Sequence, residues 1–351
     1  MASRRAFLAG LLAASLPRPS WADLGNPAFL AAGKRGSVHE LHGLSSSGDS
    51  LFALPLPARG HAAAAHPLRA EAVAFARRPG TFARVVNCLT GTPLAELTPP
   101  VGRQFNGHGA YSADGQWLMT SEVVAEGSAG RIGLWDTARY IRVGEWDSGG
   151  IGPHDIKLLA DGRIVVANGG IQTDPTDRSK LNLDRMQPNL ALLSPNGALL
   201  DRVEMPADLR QNSIRHLALT ARGVAFAMQW EGDPALPVPQ LGLWTPGEAP
   251  VFCPPDDADS LAMKGYAGSI ATGAGLTALT SAPGGALMLF DAAGAPLATL
   301  RRADISGVAA GPAGLVASDG QGGLWSVAPD GLQLLARHPV LWDNHLVALP
   351  L

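Results

Sequence analysis

Residues 107–122 read GHGAYSADGQWLMTSE, an apolar run, a turn built on Gly115 and a second apolar run. That pattern is a β-hairpin. It is followed at once by a second hairpin, RIGLWDTARYIRVGEWD at 131–147, so the unit contains four strands. The same unit recurs along the chain. HDIKLLADGRIVVANGG at 154–170, RHLALTARGVAFAMQW at 215–230, GSIATGAGLTALTSA at 268–282 and SGVAAGPAGLVASDG at 306–320 turn on Gly162, Gly223, Gly275 and Gly314. Second hairpins follow in NLALLSPNGALLDRVEM, LGLWTPGEAPVFC, ALMLFDAAGAPLATL and GLWSVAPDGLQLLAR. GHAAAAHPLRAEAVAFARR at 60–78 fits the same place without the turn glycine. A period of roughly 40 to 60 residues with four strands each matches the blade of a β-propeller.

Counting predicts seven blades if the ends of the chain cooperate. The last strand, around HLVAL at 345–349, has no hairpin partner after it, whereas residues 28–56 supply three strands at the N-terminal end. Sharing one blade between them removes the open edge of the circular array. The fold class expected is therefore all-β, a seven-bladed propeller over residues 23–351. Two insertions interrupt it, GGIQTDPTDRSKLNLDRMQP at 169–188 in the fourth blade and EGDPALPVPQ at 231–240 in the fifth, both rimming the face where the innermost strands begin.

Aligning the blades puts five histidines at one register: His61, His108, His154, His216 and His345, on consecutive blades, with Gly268 and Gly307 in the remaining two places. Imidazole is the commonest metal-binding side chain. Several of them on inner strands would converge on the central channel and supply nitrogen ligands suited to iron, copper or zinc. Asp155, Asn344 and Glu122 are candidates to orient those rings from behind. Gly268 and Gly307 would leave a gap through which a ligand enters. A competing reading starts from Gly107-His108 and Trp135-Asp136, which reproduce the structural dipeptides of WD-type blades. On that reading His108 merely ties strands together. His39, His42, His66 and His338 fall elsewhere in the repeat and are read as surface or hydrogen-bonded residues.

Arg103, Arg215, Lys264 and Tyr266 would stand near the same mouth and could form an anion pocket, favouring a carboxylate or a metal chelate over a bare ion. No GxSxG, HExxH, P-loop or GxGxxG motif is present, so no catalytic residue is assigned. A hydrolase or oxidoreductase using this mouth remains a third possibility; a calcium-dependent hydrolase would draw on Glu122, Asn168 and Asp155.

Composition sets further bounds. Lys and Arg number 27 against 30 Asp and Glu, a formal net charge of −3, which offers no basic field for nucleic acid. The 42 glycines and 28 prolines are spread along the chain and punctuate short strands. Cys88 and Cys253 fall in the second and fifth blades, too far apart to pair. Residues 3–8, SRRAFL, with a short apolar run to Leu16, prolines at 17 and 19 and a small-residue ending at Ala22, resemble a twin-arginine export signal. The expectation is a signal over residues 1–22, cleavage after Ala22, and a periplasmic product with no lasting membrane insertion.

With these segments in place, RGHAAAAHP, EAVAFARRPGTFA, FNGHGAYSADG, GIGPHDIKLLADGR, VVANGGIQTDP, KLNLD, SIRHLAL and WDNHLVAL together resemble the exported propeller family known as domain of unknown function 1513. The resemblance spans nearly all of the chain after the leader. It implies a comparable export signal, an association with imelysin-like periplasmic proteins and a di-haem oxidoreductase, and a role in periplasmic iron acquisition. No established activity comes with it, and only the five histidines of the matching motifs are carried over as its site. The function expected is binding of a transition metal or its chelate, accessory to metal uptake, with iron or copper as the possible ion. The alternative is a ligand-free propeller that docks an imelysin-like or redox partner.

Overall fold

The computed structural model describes residues 19–77, 80, 82–177 and 179–349. Seven four-stranded antiparallel sheets are arranged as blades. Each blade runs outward from the channel in sequence order: Gly60–Ala65 is innermost in blade 2, Arg103–Tyr111 in blade 3, Pro153–Leu158 in blade 4, Asn212–Leu219 in blade 5, Ser269–Gly273 in blade 6 and Ile305–Gly311 in blade 7. Blade 1 is closed as expected. Its inner strand is the C-terminal Leu341–Ala348, which pairs antiparallel with Phe29–Arg35 from Phe29↔Ala348 to Lys34↔Leu341, followed outward by Val38–Leu44 and Ser50–Leu56.

Blade composition follows from this layering. Middle strands are covered on both faces and read as continuous apolar runs, such as Glu71–Ala76, buried throughout. The outer strand Ile141–Ile151 keeps only one covered face, and its exposure alternates over its first seven residues. The core is divided into seven apolar clusters, one at each seam between neighbouring blades. Phe75 and Val85 of blade 2 meet Phe105 and Trp135 of blade 3, for example, and Val165 and Leu190 of blade 4 meet Ile214 and Phe226 of blade 5. The seam between blades 7 and 1 is packed like the rest, with Val316 and Leu324 against Phe29, Trp342 and Leu346. Closure is thus a full hydrophobic interface, not only a strand pairing. Cys88 and Cys253 are both buried free thiols.

The region expected to be a leader lies mostly outside the described residues, but its last part is folded onto the body. Trp21 is buried in the seam between blades 1 and 2 beside Leu54, Ala70 and Cys88. Its indole Nε1 donates to the His66 carbonyl at 2.8 Å, and the Pro19 carbonyl accepts from Ala70 N–H at 2.8 Å. Ser20 N–H donates to Asp23 Oδ2 at 2.7 Å, and Gly25, at φ 74°, ends the short 3₁₀ turn. Trp21→Ala should therefore remove a core side chain and cost about 3 kcal/mol of stability. A chain starting at Asp23 should show the same loss in chemical denaturation against one starting at Pro19. Equal midpoints would mean that Trp21 contributes nothing to the seam.

Candidate metal centre

The five aligned histidines meet in the channel. Ring centroids lie 4.5 Å apart for His61 and His345, 4.6 Å for His108 and His154, 4.6 Å for His154 and His216, and 4.8 Å for His216 and His345. His108 occupies the middle, with its ring also 5.0 Å from His61, 4.9 Å from His345 and 5.3 Å from His216. Two sets of three offer nitrogens that all lie within 4.8 Å of one another: His61, His108 and His345, and His108, His154 and His216. Asp155 borders them, with Oδ1 3.8 Å from His108 Nδ1, beyond hydrogen-bond length.

What aims these rings is a feature of the inner strands that the repeat alone does not disclose. In each histidine-bearing blade the register between first and second strand slips at the histidine or, in blade 5, at Arg215 directly before it. Pairing jumps from Gly60↔Ala76 to Ala63↔Ala74 around His61, from Phe105↔Glu122 to Gly109↔Thr120 around His108, and from Pro153↔Asn168 to Ile156↔Val166 around His154. It slips between Ile214 and His216 in blade 5, and between Trp342 and Leu346, around His345, in blade 1. A bulge leaves extra residues unpaired and turns their side chains out of the alternating pattern. Blade 6, which has no histidine, pairs from Ser269↔Thr280 to Gly273↔Leu276 without interruption. Blade 7 keeps the bulge, between Ile305 and Gly307, but carries a glycine.

Gly107 has two roles here. Its φ of 93° is disfavoured for any residue with a β-carbon, and a β-carbon there would lie 2.6 Å from His61 Cδ2. The Gly-His dipeptide of blade 3 thus makes room for the imidazole of blade 2. Gly107→Ala should cost about 1–2 kcal/mol in backbone strain and push the His61 ring aside. The check is metal affinity measured beside stability; a change in neither would show that the backbone accommodates the methyl group.

Blade 3 also has a strand-tying network of its own. In blade 3 the chain that ties strands together runs from Trp135 Nε1 to Thr120 Oγ1 at 3.0 Å, from Thr120 Oγ1 to Glu122 Oε1 at 2.7 Å, and to Glu122 from Arg142 Nη1 at 2.6 Å. Glu122, expected behind the imidazoles, belongs instead to this network. It lies on the second strand, and its extended backbone points the carboxylate toward Gly133 of the third. Blade 7 has an equivalent, with Trp325 Nε1 donating to Asp319 Oδ2 at 2.9 Å and Arg302 Nε to the same oxygen at 2.8 Å. Asn168 is likewise structural, bridging the Ser148 carbonyl and Asn189 Oδ1 at 2.8 and 2.9 Å.

Of the other expected positions, Asp155 stands where a ring-orienting carboxylate would. Its Oδ2 accepts from Leu217 N–H of blade 5 at 2.9 Å and its Oδ1 lies 3.3 Å from Lys157 Nζ. Asn344 turns to Tyr266, donating from Nδ2 to the phenol oxygen at 3.1 Å. Neighbouring Asp343 is buried and held by Arg59 Nε at 2.6 Å, an ion pair across the join of blades 1 and 2. The anion pocket is not assembled from the four residues expected. Arg103 Nη2 donates to Glu145 Oε1 at 2.6 Å in an outer-strand ion pair, and Lys264 is exposed on a left-handed turn. Arg215 is buried, with its guanidinium against Gly169 of the fourth-blade insertion. The gap expected at the two glycines is filled. The Tyr266 ring covers Gly268, where a β-carbon would meet Cε1 at 2.6 Å, and Gly307 packs on Ser318 and the His345–Leu346 backbone.

Burial governs the protonation of the rings. It lowers the His345 pKa to about 4 against the raising influence of Asp155 and Asp343, and it lowers His216 well below the ordinary range, helped by the fields of His345, His108 and Arg215. Both are therefore neutral, the form that binds metal. His345 Nε2 is buried with no hydrogen-bond partner among the described residues. The off-register histidines behave differently. His42 contacts Glu40 and Ser50 at 3.1 and 3.3 Å, His66 accepts from the N–H groups of Leu68 and Arg69 at 3.1 Å each, and His338 Nε2 lies 2.7 Å from the Gly48 carbonyl.

Comparison with known proteins adds the fold and a family. The family model described as protein of unknown function (DUF1513) matches residues 54–349. No curated protein matches the chain. Among solved structures it is similar to Kuenenia stuttgartiensis hydrazine synthase, with a TM-score of 0.59 at 13% identity over 81% of this chain and 87% of that one. A chain of a mitotic checkpoint complex gives a TM-score of 0.56 at 13% identity, over 80% and 77%. At these identities the likeness is one of fold alone.

Proposed function

The chain belongs to the family described as proteins of unknown function (DUF1513), a description that leaves its chemistry to the site itself, and we propose that its channel binds a transition metal ion within the cluster of five imidazoles. The observation that supports this reading is the pair of overlapping three-histidine sets with nitrogens within 4.8 Å. Three nitrogens bonded to one ion at about 2.1 Å lie about 3.4–3.6 Å apart, so the rings of a set close by up to about an ångström to complete a coordination sphere. His345 Nε2, buried with no hydrogen-bond partner among the described residues, is a lone pair that such a cation would satisfy. An all-imidazole set suits copper, iron or zinc. In this reading Asp155, 3.8 Å from His108, borders the ligand set as a nearby negative charge, and the protein serves as an accessory to metal acquisition outside the cytoplasm, with iron or copper as its ion.

The test is metal analysis of protein purified without affinity histidines, followed by equilibrium titration of the metal-stripped form with copper, iron and zinc. One ion per chain at sub-micromolar affinity, lost in the folded His108→Ala/His154→Ala double variant, is the expected result. Metal-free protein that takes up none of the three sinks the reading. A second reading, a docking platform for an imelysin-like or redox partner, draws on the rim, where Lys180 of one insertion pairs with Glu231 of the other and Gln211 Nε2 donates to the Leu183 carbonyl at 3.0 Å. It predicts that histidine loss changes stability and leaves no metal affinity to lose.

A further inference from the structure

Beneath the imidazoles lies a cavity of about 390 Å³, and its walls show from which side the centre is reached. His108, His216 and His345 stand at its head, and it continues past Lys157 and Thr272 to Ala310 and Ala348, where the inner strands end. It therefore runs away from the rim that carries the insertions. On the rim side Tyr266 covers Gly268 and holds Asn344. The two blades without histidine supply small residues to the cavity wall, Ser269 and Ala271 in blade 6 and Ala309 in blade 7, which is why space is left on their side.

Charge decides what this space suits. Among the described residues the ionic groups on the wall are Asp155 and Lys157, 3.3 Å apart, and they offset each other. Neutral imidazoles do not compensate a divalent ion, so a metal held there leaves about two positive charges in a buried setting, which is costly without a counter-charge. The cavity admits only a small molecule. Resting on the metal reading above, we infer that the ion keeps a coordination position open to this cavity and binds a small carboxylate there, whose second oxygen pairs with the Lys157 ammonium. A carboxylate suits both partners, since one oxygen can bond the metal while the other accepts from an ammonium.

The experiment uses the full chain loaded with copper(II), titrated with acetate and followed by visible absorption and electron paramagnetic resonance. A saturable spectral change is expected. Lys157→Met should keep copper stoichiometry and weaken acetate by roughly tenfold, the loss of one charge-assisted contact. Ala309→Leu, which narrows the cavity beside the imidazoles, should also keep copper and weaken the acetate response; Ala271→Val is the milder version should the first variant not fold. Copper-loaded wild type whose spectra ignore acetate overturns the inference alone. So do variants that bind acetate as wild type does. Failure to load copper, iron or zinc overturns the metal reading and this inference with it.

Discussion

His108→Ala is expected to lower metal affinity more than any other single imidazole substitution, by at least a hundredfold. His108 is the one residue shared by both three-nitrogen sets, whereas removing His61 or His345 leaves His108, His154 and His216 intact, and removing His154 or His216 leaves the other set. Substitutions of groups that only orient a ligand typically cost ten- to a hundredfold, so losing a ligand common to both sets should cost at least the upper figure. His61→Ala and His154→Ala should each fall short of it. The measurement is a competition titration against a chelator of known affinity, run on all five variants after circular dichroism has shown each folded. Five equal losses would indicate one five-coordinate sphere in place of two overlapping sets. No loss at His108 would remove the centre of the site.

Stability separates this outcome from the structural alternative. Trp135, Thr120, Glu122 and Arg142 tie the strands of blade 3, and on the metal reading Ala at position 108 should unfold near the wild-type midpoint in the metal-free state. Had His108 carried the role that Gly107-His108 and Trp135-Asp136 suggest, the same substitution would remove a buried hydrogen bond and destabilise the protein by about 1–3 kcal/mol.

The contrast shows what a repeat can and cannot convey. Blade number, closure by the C-terminal strand and the common register of five histidines are properties of spacing, and spacing survives translation into a propeller because each blade contributes its first strand to one axis. Side-chain direction is a different matter. Alternation predicts that a one-residue slip reverses a side chain, and the inner strands slip at or directly beside each of the five histidines; the visible trace of this in the chain is slight, such as Gly107 and Gly152 at positive φ beside the bulges. Glu122 was misplaced for the same reason, being assigned by proximity to the site along the repeat when its strand points it at Gly133. From its type Tyr266 offers a hydroxyl to the mouth, but its ring occupies the very space that the sequence leaves at Gly268. The cavity below the site was illegible because it is made by what is small, Ser269, Ala271 and Ala309, and small residues are common in any β-protein with this composition.

The metal-free protein is expected to lose several kcal/mol of stability as pH falls from about 6.5 to about 4. Burial holds both His42 and His345 at a pKa of about 4, against 6.5 for the free side chain, with Glu40 opposing the shift at His42. In the unfolded chain both rings take up a proton near pH 6.5, and in the folded chain neither does until about pH 4. Between these values the unfolded state binds more protons, so acid favours unfolding; the stabilisation is complete above about 6.5 and gone once the folded rings titrate. Each depression corresponds to about 3 kcal/mol at most, and His216 acts in the same direction, against a total of about 5–15 kcal/mol for a folded domain. Urea denaturation at pH 7 and pH 4.5 should show the difference, and His345→Leu, which removes one titrating ring, should flatten the pH dependence by its share. A saturating metal should restore stability at the lower pH, because the same depressed pKa values keep protons from competing for the imidazole nitrogens until well below the pH at which an exposed histidine cluster would release its ion. A pH-independent midpoint across this interval would mean that the rings are solvated and that the channel does not hold them neutral.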